Sequence, residues 1–321
     1  MSQNIVCWTH TRPLTEINFV EDGTNDVILV SAAHDKIPKI CNGNTGDWIG
    51  SFHGHKGAIW SAKVDQATRT LTCTGSGDFS AKLWCTQTGK ELAVLKHRHV
   101  VKCVDFSNDT NKIATVCQDG LLRVFDTCNT TNEDIEPMTQ RIGSGHSSES
   151  ATKVKWLDDN RILIGKKNGR IEIRDIRIDD NSSSSSSIKE NNEKAITNFI
   201  DMPDGASIMD IDINLNQNTL VTGVGTNIHS LSLSDLNITN TIKLPEKMNF
   251  KNEGGVALSA DGERVMGGAS DLILREFDTK TGDVLRSFHG HHGPIRCVRY
   301  HPNGNLVASG SEDATVRLWQ L

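Results

Sequence analysis

Apolar residues in this chain gather in short β-branched runs, and turn residues break each run before it can lengthen. Near the C-terminus, IRCVRY (295–300), LVASGS (306–311) and TVRLW (315–319) are separated by NGN and SED. Val, Ile and Thr suit a pleated, half-buried surface, and Asn, Gly, Ser and Asp suit tight turns, so these runs read as strands. The same order of runs and turns recurs along the chain with a period of roughly 40 residues. The clearest copies are 54–85, which opens GHKGAIWSAKV and closes LTCTGSGDFSAKLWC, and 290–320, GHHGPIRCVRYHPNGNLVASGSEDATVRLWQ.

One spacing holds throughout. Asp35, Asp78, Asp119, Asp271 and Asp313 are each followed six residues later by Cys41, Trp84, Phe125, Phe277 and Trp319, and Asn168 with Arg174 fills the same two places in a weaker copy. His10, His55, His97, His146 and His291 stand 22 to 25 residues before the Asp-type position. Two further copies, around 208–231 and 254–278, lack the His, which makes seven repeats. A lone four-stranded sheet leaves both faces wet, whereas radial stacking buries the faces and leaves only short edges. The chain therefore reads as all-β: a single seven-bladed β-propeller over residues 1–321. The last copy ends after its third strand, and NIVCWTH (4–10) precedes the first His as VLRSFHGH (284–291) precedes the last. The N-terminal segment is thus expected to supply the missing strand and latch the ring, covering an edge that would otherwise be open for pairing. Residues 179–194, DDNSSSSSSIKENNEK, cannot bury apolar area and read as a disordered insertion on the bottom face.

These residues resemble the WD-repeat family, in which a His, a Ser or Thr, an Asp and a Trp form a buried hydrogen-bonded set. By that resemblance the set is complete twice, as His55, Thr74, Asp78 and Trp84 and as His291, Ser309, Asp313 and Trp319. A buried carboxylate is costly unless hydrogen bonds satisfy it, which gives the set a structural purpose. A His, Ser and Asp that recur with the repeat are in this reading structural, not a hydrolase triad, since a triad occurs once. Within the family, GHKGAIWSAKV (54–64), residues 79–111, QDGLLRVFD (118–126) and 290–320 are similar to the serine/threonine kinase receptor-associated proteins, with HRHVVKCVDF the most discriminating run. That similarity implies a scaffold in the survival-of-motor-neuron complex, which assembles spliceosomal ribonucleoproteins, and a role in receptor kinase signalling. The i subunit of translation initiation factor three is the runner-up, because GHKGAIW and TGKELAVLK fit it nearly as well.

Composition narrows the setting. A net charge of −6 does not favour a general nucleic-acid or anionic-membrane surface. Eight scattered cysteines without a CxxC pair read as buried free thiols in a reducing compartment. No apolar stretch is long enough to span a membrane, and MSQNIVCWTH lacks a signal-peptide pattern. The expected location is the cytoplasm, with the nucleus second. The expected partners are proteins of a multi-subunit complex, met by a monomeric propeller, with no membrane or direct DNA contact and only indirect or weak RNA contact.

No cofactor, metal or catalytic site is expected. There is no GxxxxGK[ST] loop, TGSGDFS falls in a strand turn, and His289, His291, His292 and His301 have no Cys or carboxylate set to complete a metal site. The inner strands AIWSAKV and KCVDF read as offering no polar groups to a central channel. Five residues after each His-type position come Thr15, Trp60, Lys102 and Arg296, and the weaker copies give Thr152, Met209 and Gly254. These positions are expected to ring the channel mouth on the top face. Trp60, Lys102 and Arg296 are the candidate partner-binding residues, being of types enriched in interface cores or able to pair there. Lys56, Arg98, Lys102 and Arg296 are the only support for an RNA-binding reading. Pairing of a partner strand along an outer edge is the second expected binding mode.

Overall fold

A computed structural model describes residues 4–7, 10–21, 26–128, 137–143, 149–178, 193–203, 205–250 and 254–321. Its outermost strands carry most of the exposed strand positions and its second strands are buried almost throughout, as a stack of small sheets requires.

The chain opens with β1 (Asn4–Cys7). Blade 1 is β2 (Leu14–Glu21), β3 (Val27–Ala33), β4 (Lys39–Asn42) and β5 (Trp48–Ser51). Blade 2 is β6 (Ile59–Val64), β7 (Leu71–Ser76), β8 (Ser80–Cys85) and β9 (Glu91–Lys96). Blade 3 is β10 (Val101–Phe106), β11 (Lys112–Cys117), β12 (Leu121–Asp126) and β13 (Met138–Arg141). Blade 4 is β14 (Ala151–Trp156), β15 (Arg161–Lys166), β16 (Arg170–Asp175) and β17 (Ile196–Asp201). Blade 5 is β18 (Ile208–Asn214), β19 (Thr219–Val224), β20 (Asn227–Ser232) and β21 (Ile238–Lys243). Blade 6 is β22 (Gly255–Leu258), β23 (Arg264–Gly268), β24 (Leu274–Asp278) and β25 (Val284–Phe288). Blade 7 is β26 (Ile295–Tyr300), β27 (Leu306–Ser311) and β28 (Val316–Gln320).

These strands form seven four-stranded antiparallel sheets. Their first strands pack neighbour on neighbour around a closed ring: β2 on β6, β6 on β10, β10 on β14, β14 on β18, β18 on β22, β22 on β26, and β26 back on β2. Blade 7 is completed by β1, with Asn4 opposite Trp319 and Cys7 opposite Val316, so strands from the two ends of the chain lie in one sheet. The latch is anchored by its side chains as well: Cys7 packs with Leu318, Val316, Cys41 and Leu14 in a cluster that joins blades 7 and 1. Of the expected Ser-rich insertion, residues 179–192 lie outside the described residues, and Glu193 and Lys194 begin a helical stretch (193–195) that leads into β17. His146 also lies outside them. No helix among the described residues is long and apolar enough to cross a membrane.

Candidate functional site

Six of the seven inner strands carry the feature that builds the site, and β22 of blade 6 pairs without it. The pairing register slips by one residue between Leu14 and Glu16, Ile59 and Ser61, Val101 and Cys103, Ala151 and Lys153, Ile208 and Asp210, and Ile295 and Cys297. A bulge leaves one residue without a partner across the ladder and re-aims its side chain. The residues so released are Thr15, Trp60, Lys102, Thr152, Met209 and Arg296, and with Gly254 in blade 6 they line one cavity of about 360 Å³ at the channel mouth. His34, Gln118, Lys153, Lys167 and Ser207 complete much of its wall. Thr15 and Thr152 donate to the carbonyls of Ile59 and Ile208, each 2.8 Å away, and so tie the rim of one blade to the next.

The Trp60 ring is held between two neighbours. Lys102 Nζ lies 3.2 Å from its centroid, and the His34 ring meets it edge-on at 4.9 Å. Arg296 pairs with Glu312, its Nε 2.9 Å from Oε1. Burial, together with the like charges of Lys167, Arg296 and Lys153, pulls the Lys102 ammonium down to about 8. Burial and the neighbouring Arg296 and Lys102 likewise lower His34.

Below the mouth the channel corrects the sequence reading of apolar inner strands. Charged side chains from five blades converge there: Lys63 Nζ lies 3.0 Å from Glu16, Lys153 Nζ 3.3 Å from Asp210, and Arg299 grips Asp210 through two bonds of 2.7 and 3.0 Å. Lys153 also reaches to 4.0 Å from Glu16, joining the two halves of the network. Polar side chains of one inner strand also take backbone N–H groups of the next. Glu16 accepts from Ala62 (3.1 Å), Ser61 from Val104 (3.1 Å), Asp105 from Trp156 (2.9 Å) and Asp210 from Val256 (3.2 Å). Burial would raise Glu16, but Lys63 and Lys153 overcome it and hold the carboxyl at about 2. Lys63 and Ser61 of AIWSAKV and Asp105 of KCVDF are thus channel residues. The strand reading assigned none of them to the channel, because each one's partner lies on another blade, far away in sequence.

The two complete sets have the same wiring. In blade 2, Trp84 Nε1 donates to Thr74 Oγ1 (2.8 Å), Thr74 meets His55 Nε2 (2.7 Å), and His55 Nδ1 meets Asp78 Oδ2 (2.7 Å). In blade 7 the matching distances are 2.8 Å for Trp319 to Ser309, 2.8 Å for Ser309 to His291 and 2.9 Å for His291 to Asp313. Asp78 also accepts from the Lys56 N–H at 2.8 Å and the Ser80 hydroxyl at 2.6 Å. These donors outweigh burial and hold Asp78 at about 2. Burial lowers His55 despite the aspartate beside it. Neutral histidine then passes one chain of hydrogen bonds from indole to carboxylate, with no free nucleophile left at its end. A third set, unrecognised in the sequence for want of a Trp, joins His10 to Asp35 and to Ser31 at 2.8 Å each, with buried Cys41 in the Trp place.

Outer strands offer a second surface. Trp48 and Ile49 on β5, Leu92 and Val94 on β9, and Val284 and Leu285 on β25 are all exposed. Among the described residues, no group of three or more His, Cys, Asp or Glu side chains is placed to hold a metal ion.

Comparison with known proteins adds to this geometry. The WD domain, G-beta repeat family matches residues 46–85, 89–126 and 282–320. The serine-threonine kinase receptor-associated protein of Gallus gallus is 34% identical over 316 residues, covering 98% of this chain and 82% of its own. The protein of that name from Dictyostelium discoideum is 30% identical over 320 residues, covering 100% of this chain and 99% of its own. Eukaryotic translation initiation factor 3 subunit I of Drosophila grimshawi is 28% identical over 329 residues, covering 96% of this chain and 94% of its own.

Proposed function

Because this chain belongs to the serine-threonine kinase receptor-associated protein family of WD-repeat propellers, we propose that it is a non-catalytic scaffold that holds proteins of a multi-subunit complex together at its channel mouth. The observation that carries this reading is the convergence of all seven rim positions on one cavity, with the Trp60 aromatic and four cations, Lys102, Lys153, Lys167 and Arg296, in its wall. Convergent aromatic and cationic side chains on a rigid frame suit recognition of a partner. The recurrent His, Ser or Thr and Asp sets, which resemble catalytic groups, are occupied in holding blades together.

The family's names point to receptor kinases. The similarity further suggests work within the survival-of-motor-neuron complex, in the cytoplasm and nucleus, where spliceosomal ribonucleoprotein cores are assembled. A second reading, subunit i of the initiation factor, is supported by the more distant relatives at 28% identity. Affinity capture of the tagged full chain from lysate of its own organism, read by mass spectrometry, separates the two. The first reading expects Sm proteins and subunits of the motor-neuron complex. Recovery of initiation-factor subunits in their place would replace it with the second.

A further inference from the structure

The cavity at the channel mouth carries a charge that the protein itself does not balance. Arg296 is answered by Glu312, and Lys153 by Asp210 and Glu16 below it. Lys102 and Lys167, which line the same cavity, meet no carboxylate among the described residues. Lys102 is instead laid over the Trp60 ring, which keeps its ammonium at the cavity. Each charged neighbour that shifts it is a cation, and burial acts in the same direction. His34 Nε2, in the same wall, is buried without a hydrogen-bond partner. Partly desolvated cations held together without an anion are costly, and an entering carboxylate would relieve that cost in a site where water screens it little.

We propose that the channel mouth receives an acidic segment of a partner protein, with a side-chain carboxylate seated against Lys102 and Lys167. This deepens the scaffold reading and rests on it. A protein segment fits better than RNA on three grounds. The cations converge on one cavity and do not form a stripe that tracks a phosphate backbone. The face of Trp60 that a base would stack on is covered by Lys102. The chain as a whole carries a net charge of −6, which opposes a polyanion but not one or two carboxylates that enter a local positive field.

The test is calorimetric titration of the full chain at roughly 50 mM salt. The probe is the peptide acetyl-Gly-Asp-Glu-Asp-Gly-amide, and its Asn/Gln counterpart is the control. The expected result is saturable binding of the acidic peptide, at least about tenfold tighter than its amide counterpart, which corresponds to about 1.4 kcal/mol. Lys102→Gln should weaken it about three- to tenfold and Lys102→Glu should abolish it, with melting temperatures unchanged. Lys280→Gln, on a lysine whose side chain is 80% exposed in the turn between β24 and β25, should leave it intact. Equal binding by the Lys102→Glu and Lys280→Gln proteins would overturn the proposal. So would inorganic phosphate binding as tightly as the peptide, which would make the site a simple anion hole. Displacement of the peptide by a lower concentration of an eight-residue oligouridylate would overturn it in favour of RNA. Affinity capture with the same variants separates this inference from the reading beneath it. Partners kept by Lys102→Glu would sink the inference and leave the scaffold standing. A wild-type chain that captures no partner would sink both.

Discussion

Blades 2 and 7 stand against blades 3, 4 and 6 as two solutions to one problem. In each of these blades the turn between the second and third strands is fixed, and a large buried side chain fills the place six residues after the Asp-type position. Blades 2 and 7 do this with a His between Asp and Ser or Thr, and a Trp lid. The cation four residues after the Asp is then free to lie over that lid, Lys82 at 5.7 Å from the Trp84 ring and Arg317 at 5.9 Å from Trp319. In blades 3 and 6 the lid is Phe125 or Phe277, and the cation at the same position turns to the Asp. Arg123 reaches Asp119 at 2.7 Å, and Arg275 reaches Asp271 at 2.5 Å. His97 of blade 3, with its Asp taken, uses Nδ1 on the Leu95 carbonyl at 2.9 Å. Blade 4 permutes the charges. Asn168 stands in the Asp place, Glu172 in the cation place and Arg174 in the Trp place, and Glu172 is bonded by Arg174 at 2.6 Å and Lys166 at 2.8 Å. The positions are kept and the chemistry is exchanged, because the fold needs a satisfied acceptor and a filled volume more than it needs particular residues.

The comparison breaks most visibly at the lids. Trp319→Ala should cost about 3–5 kcal/mol in denaturant unfolding, through the cavity it leaves and the indole donor that Ser309 loses. It should loosen β1 as well, since Asn4 pairs opposite Trp319. Arg174→Met in blade 4 should cost about 3 kcal/mol for a different reason, the Glu172 charge left short of a partner in the interior. Adding Glu172→Leu should return at least half of that loss. If the double variant is no better than the single, charge balance is not what Arg174 supplies.

A pH series sharpens the contrast between histidines. Burial and Arg123 hold His97 down to about 4, so in the fold it stays neutral while the unfolded chain's histidine takes up a proton near its ordinary value of 6.5. The unfolded state then binds more protons between pH 6.5 and 4, and stability falls as pH falls through that window. His97→Gln should flatten this slope measurably. His55→Gln should flatten it less, because Asp78 offsets the burial that lowers His55. The smallest effect is expected at the turn residue after the Asp. It is Phe79 (φ 68°) and Ala314 (φ 64°) in blades 2 and 7, but Gly120 (φ 78°) and Gly169 (φ 83°) in blades 3 and 4. Gly120→Ala should cost about 1 kcal/mol, while Ala314→Gly should be neutral or stabilise slightly, as read from melting temperatures.

The same contrast explains what could be read from the sequence. Blades 2, 3 and 7 announce themselves by their His, Asp and aromatic spacing, and these are the stretches that the WD domain, G-beta repeat family matches. Blade 4 hides because Arg174 in a Trp place looks like a surface residue until Glu172 is seen beneath it. Counting five residues from the His-type position gave Thr15, Trp60, Lys102 and Arg296, and a shifted alignment of the weaker copies gave Thr152, Met209 and Gly254, yet neither gave a cause for the inward aim. In six blades the cause is a bulge, a slip in pairing between two strands that no single strand records. The channel charges stayed unread for a similar reason. Glu16, Lys63, Lys153, Asp210 and Arg299 come from blades 1, 2, 4, 5 and 7, and only ring closure brings them together.

The claim beneath the functional account is that partners engage the channel mouth and not the outer edges. Amide hydrogen exchange of the free chain against the captured complex reads this directly. Protection is predicted around residues 58–61, 100–103 and 294–297, where Trp60, Lys102 and Arg296 enter the cavity. Protection confined to β5, β9 or β25, with those three stretches unchanged, would contradict it.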